Sequence, residues 1–188
     1  VAWLGTDFTL RAAAGHQGNR IELAAAAAQL GRRAAAGDKA SGIALFDGKP
    51  HQMVMVPMKA PVLVGWVVMG FPLDGKLGRE MQQLSALNLT LLTRERQDEP
   101  WRGTLTTLPA AQVQRLAEQP WSAQGQAVAG MRAVTLAGEE FGVHGLWITP
   151  LAGGRSDGAA VLALMSLSID AATRTPRELQ LLLLAITL

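Results

Sequence analysis

With 188 residues, 49% hydrophobic and 17% charged, the chain can bury one large core or two small ones and is too apolar for general disorder. A formal net charge of +2, with no basic stripe interleaved with aromatics, argues against a nucleic-acid partner. The lack of cysteine removes disulfides, thiolate nucleophiles and Cys-ligated metals, and no apolar run reaches the roughly 18 residues that would span a bilayer. The chain starts at Val1 without a signal-peptide pattern. That start suggests a trimmed piece of a longer protein, with any flanking membrane segments outside it.

Val1 to Ala14 reads as two short strands or a bent one, anchored by Trp3, Phe8 and Leu10 and broken at Gly15-His16-Gln17-Gly18. Asn19 is a candidate cap for a helix to about Ala36, with Glu22 early and Arg32-Arg33 late, as the helix dipole favours. Gly37 is placed to stop it. The small side chains of Ala24 to Ala28 predict close packing against a neighbour, and Gly31 is the weak point of the pattern. Next, Ile43 to Phe46 and Met53 to Val56 flank Asp47-Gly48, a strong hairpin signal because Gly accepts positive φ. Val62 to Met69 is apolar at every position, which predicts a central strand covered on both faces. Asp74 then opens a helix with Leu73, Leu77, Met81, Leu84 and Leu87 on one stripe.

Leu89 to Leu92 is another short apolar run, and Arg94 to Pro100 is a mixed-charge stretch that reads as a solvated junction between two halves. Pro109 predicts a helix to about Glu118 with Val113 and Leu116 inward. The last third repeats the earlier plan: Met131 to Leu136, a turn at Gly138-Glu139-Glu140, Phe141 to Thr149, a Gly-rich loop to Gly158, and a strand over Ala159 to Ile169. Pro57 and Pro150 are offset by 93, Met69 and Met165 by 96, and Asp74 and Asp170 by 96, so a structural repeat is expected. Thr175-Pro176-Arg177-Glu178 is a capping box opening a final helix whose Leu179, Leu182, Leu183 and Ile186 share a stripe. Its other faces are nearly as apolar, which suggests a helix continuing toward lipid.

The stretch GIALFDGKPHQMVMVPMKAPVLVGWVVMGFPLD, through Asp47-Gly48, His51-Gln52, Pro57, Pro61, Gly65-Trp66, Met69-Gly70-Phe71 and Asp74, resembles the membrane-distal module of a double Cache domain. Such domains are extracytoplasmic sensors of bacterial transmembrane receptors with cyclase, phosphodiesterase or histidine-kinase outputs. The resemblance implies an α+β fold of two PAS-like Cache modules, each an antiparallel sheet flanked by helices. The expected division is 1–90 for the membrane-distal module and 91–188 for the membrane-proximal one, with the junction near Leu87 to Pro100.

Catalytic signatures are missing. There is no G-x-S-x-G elbow, no phosphate-binding glycine motif, and no metal spacing among His16, His51 and His144. No catalytic residue, metal or cofactor is therefore assigned. His51 and His144 fall at comparable places in the two repeats. Strand parity groups His51, Met53 and Met55, and separately Val62, Val64, Trp66 and Val68. Met and Trp on a sheet either fill a core or line an adaptable pocket. Cache modules bind small ligands on one sheet face, so the resemblance makes His51, Met53, Met55 and Trp66 the candidate ligand-binding residues, in the first module and not the second. The family's amino-acid sensors grip their ligand with a Tyr, Arg, Trp and Asp set, whereas this chain has no Tyr and no R-x-W. The reading is thus a periplasmic sensing domain for an unidentified small molecule, with a homodimer and flanking transmembrane helices as partners. The rival is a ligand-free dimerisation or spacer domain, and a hydrolase with an unlisted site is a remote third.

Overall fold

A computed structural model describes residues 1–15, 20–37, 40–85, 87–121, 130–151 and 158–170. The elements are β1 (Ala2–Leu4), β2 (Leu10–Ala13), α1 (Arg20–Ala35), β3 (Ser41–Phe46), β4 (Lys49–Lys59), β5 (Leu63–Pro72), α2 (Gly75–Ser85), β6 (Asn88–Arg94), β7 (Arg102–Thr106), α3 (Ala110–Ala117), β8 (Arg132–Leu136), β9 (Glu139–Ile148) and β10 (Ala160–Ser168). Among the described residues the strands form two separate five-stranded sheets, ordered β2-β1-β5-β4-β3 and β7-β6-β10-β9-β8. All pairings are antiparallel, and the two orders are one permutation used twice. This is the expected α+β arrangement of two antiparallel sheets flanked by helices.

The two hairpin turns show why the repeat exists. Phe46 pairs with Lys49, so Asp47 and Gly48 form a two-residue turn with φ of 51° and 71°. Positive φ at both positions matches the twist of the flanking strands. In the second module Leu136 pairs with Glu139, and the turn residues are Ala137 and Gly138, at 53° and 86°. Glu139 and Glu140, expected in that turn, are the first residues of β9. From Gly48 to Gly138 is 90 positions, which carries His51 onto Phe141. His144 therefore has no counterpart in His51. It lies on the opposite sheet face, where its Nδ1 is 3.3 Å from the Gly130 carbonyl.

One face of the first sheet is closed by α1, whose Leu23, Ala26, Ala27 and Leu30 are buried with Leu4, Ala44, Met53, Met55 and Val68. The alanine run predicted this close approach. Gly31 serves it too: the Phe8 ring lies so near that an added Cβ would stand 2.7 Å from its Cγ. In the second sheet α3 supplies Val113 and Leu116, starting at Pro109 and ending at Glu118 as predicted.

Three expectations change. Strand β5 is central in its sheet, yet its outer face is not covered: Phe71 is exposed, Val67 and Met69 are half-exposed, and no described helix packs there. Asp74 does cap α2, its Oδ1 accepting from the backbone N–H of Lys76 (3.0 Å) and Leu77 (3.2 Å). The apolar stripe of that helix is not buried, however, since Leu84 is 90% exposed and only Gly78 is fully covered. Helix α2 instead approaches β6 and β7 of the second sheet, Gly78 against Leu105 and Thr107. Finally, a division between residues 90 and 91 falls inside β6, which belongs wholly to the second sheet. Of the charged run, Arg94 closes β6 and Glu95 to Pro100 lie in the connection between β6 and β7, antiparallel neighbours in that sheet.

The modules are tied by a contact that the sequence did not announce. Leu151, from the chain after β9, is 2% exposed within the first module's core and bridges in parallel to Ala44. Its N–H donates to the Ile43 carbonyl at 2.6 Å. Thr93 Oγ1 adds a bond to the Gly48 carbonyl at 3.2 Å. No described helix is long and apolar enough to cross a membrane. The expected final helix after Thr175 lies outside the described residues.

Candidate functional site

The strand register decides how the four candidate residues relate. His51 faces Pro72, Met53 faces Gly70, Met55 faces Val68, and Trp66 faces Pro57, so all four share the face covered by α1. They do not share a pocket. His51 and Pro57 are six positions apart on β4, which separates His51 from Trp66 by about 20 Å.

At the His51 end is a cleft of about 200 Å³. Its base is Met53 and Val68, with Gly70 leaving room for the Met53 thioether, which would be 3.2 Å from a Cβ there. Phe46 and His51 form one wall, their rings 5.3 Å apart and steeply inclined at 61°. Leu23 of α1 closes the cleft from above. His51 Nδ1 is 3.0 Å from the Lys49 carbonyl, an acceptor only, so Nδ1–H is the donor of that bond and Nε2 is left for another partner. No charged side chain lines the cleft. Chemically, it can take a small, mostly apolar molecule with one hydrogen-bonding group.

Met55 and Trp66 stand apart from it. Met55 is 2% exposed, packed as ordinary core beside Met53. Trp66 lies against Phe8, ring centroids 5.7 Å apart, and its indole Nε1 is buried without an acceptor. Of the four, His51 and Met53 thus meet at one cleft. Sequence reasoning missed Phe46, Val68 and Gly70. The cross-strand register would have found Val68 and Gly70, because β4 and β5 join through a loop that sets which residues face each other. Phe46 needed only the hairpin turn, since Phe46 pairs with Lys49 and His51 is the next residue on the same face.

Among the described residues no three His, Asp or Glu side chains are grouped as a metal ion requires. Residues 24–147 match a family model described as a double sensory domain of two-component sensor kinase, dCache_3. No curated protein matches the chain significantly, and no solved structure does.

Proposed function

Because the chain belongs to the dCache_3 family of double sensory domains of two-component sensor kinases, we propose that its first module senses a small, largely apolar molecule in the Phe46–His51–Met53 cleft. The module acts outside the cytoplasm, in the periplasm, and the second module relays the ligand state through the chain after β10 toward a membrane helix and a kinase. A homodimer carries the signal across the membrane.

The observation that carries this reading is the double duty of β3. Phe46 walls the cleft, while three residues earlier the Ile43 carbonyl holds Leu151 of the second module. A ligand that binds one position of β3 better than another biases the seating of Leu151, and only that difference in affinity can shift the equilibrium. The spacer reading draws on a separate observation: Met53 and Met55, at 1% and 2% exposure, are placed as ordinary core.

A thermal-shift screen of small metabolites separates the two. A ligand present at one hundred times its dissociation constant stabilises the folded state by about 2.7 kcal/mol. Hits should vanish in His51→Leu and persist in Trp66→Phe. A hit lost only in Trp66→Phe places the ligand elsewhere, and a screen without hits supports the spacer.

A further inference from the structure

A second cavity, of about 270 Å³, opens at the corner of the second sheet where β6 and β9 end and β10 begins. Arg94, Gln97, Trp147, Thr149 and Ala160 line it. Arg94 pairs with Ala160, and Trp147 with Leu162 two residues on, so the guanidinium and the indole stand on the same sheet face, the one α3 covers. The Arg94 guanidinium carbon lies 4.5 Å from the Trp101 ring centre, and Trp101 meets Trp147 with centroids 5.4 Å apart. One end of the guanidinium is occupied: Nη1 donates to the Gln97 carbonyl at 3.3 Å. The other is not. Nε is buried and finds no acceptor.

Nor does a carboxylate of this chain neutralise Arg94 among the described residues. Asp98 and Glu99 pair with Arg96, at 3.5 and 3.3 Å, and Glu95 turns toward Gly48. The rim is held close by Gly158, at φ 107°, where a Cβ would stand 2.9 Å from the Gln97 backbone nitrogen. A buried N–H without an acceptor is costly to keep, so the site as built asks for one.

We infer that this corner of the second module binds a short-chain carboxylate. Its two oxygens accept from Nε and Nη2, the fork that Nη1's bond to Gln97 leaves open, and its hydrocarbon part rests on the Trp147 ring. Arginine's planar fork matches a carboxylate in a way a lysine point charge does not. The stack on Trp101 holds that plane fixed, and the cavity, smaller than those that take drug-sized ligands, restricts the tail to a few carbons. The register puts Leu162, Leu164 and Ser166 on the α3 side, with Arg94 and Trp147 at its end.

The test is calorimetric titration of the 188-residue chain with sodium butyrate, sodium acetate and sodium phosphate at matched ionic strength. Saturable binding of butyrate, stronger than acetate and absent for phosphate, is expected. Arg94→Lys should weaken it about tenfold or more, the size of one lost charge-assisted hydrogen bond, and Trp147→Ala should erase the preference for butyrate over acetate. Circular dichroism checks that each variant is folded, and Arg94→Lys decides if Trp147→Ala is not. No saturable butyrate binding, phosphate binding as tight as butyrate, or an unchanged Arg94→Lys variant overturns the assignment. First-module hits depend on His51 and not Arg94, so the two sites fail separately.

Discussion

Substituting Gly31 by Ala sets two physical effects of opposite sign against each other. On helix propensity alone, Ala in the interior of α1 is favoured over Gly by about 1 kcal/mol. The structure predicts the reverse outcome. The new Cβ would press hardest on Phe8 Cδ1 and stand 2.7 Å from both Cγ and Cε1, where carbon atoms rest comfortably only at about 3.5 to 4 Å. The ring would have to retreat by more than about 1 Å. It has little freedom to do so: Phe8 sits at φ 62°, its N–H is bonded to the Gly5 carbonyl at 3.0 Å, and its ring is backed by Trp66. Overpacking of this kind costs about 1–3 kcal/mol. The net expectation is destabilisation of about 1 kcal/mol after the propensity gain is subtracted. Urea unfolding followed by tryptophan fluorescence reads it as a lower midpoint at unchanged slope. A double-mutant cycle with Phe8→Leu should return a coupling of about 1–2 kcal/mol, because Gly31→Ala turns neutral or stabilising once the ring is gone. If Gly31→Ala stabilises the protein equally with and without Phe8, the packing argument is refuted.

Ala137 carries a Cβ at φ 53° in the β8–β9 turn, a conformation that Asn tolerates better. Ala137→Asn should stabilise the protein by about 0.5–1 kcal/mol, seen as a higher thermal midpoint, and a lower midpoint would contradict the turn assignment. Leu151→Ala should cost about 2–5 kcal/mol and, because this side chain belongs to the first module's core, should raise hydrogen exchange along β3; protection of β3 unchanged would mean that the modules are not coupled there. Asp7 is held below its ordinary 3.8, first by the Thr9 hydroxyl bond at 2.7 Å, then by the Thr9 N–H and, more weakly, Arg11. A folded pKa lower than the unfolded one stabilises above the unfolded value and is lost as pH falls through the folded one. Wild type should thus exceed Asp7→Asn in stability at neutral pH, with the gap closing below about pH 4; a gap that persists at pH 2 would show another cause.

Much of the fold was determined by residues acting locally. Asp47-Gly48 specifies a tight hairpin because only its φ values join two twisted strands in two residues. Pro109 starts α3, Asp74 caps α2, and the alanines of α1 announce a helix lying close to a sheet. The recurrence of that plan at offsets of 93 and 96 made the two modules legible before any coordinates. Parity likewise put His51, Met53 and Met55 on one face, and rightly so. Tertiary structure decided what parity alone does not contain: how far along that face each residue lies. A strand advances about 3.3 Å per residue, so the β4–β5 register, set by the loop between them, parts Trp66 from His51 and brings Phe46 and Val68 to the cleft instead. The same holds for α2, whose apolar stripe is exposed while a glycine makes the buried contact, and for Leu151, a lone leucine after a proline that docks on the other module's edge strand. Contacts between residues more than one hundred positions apart leave no periodic trace, because nothing in the local backbone requires them.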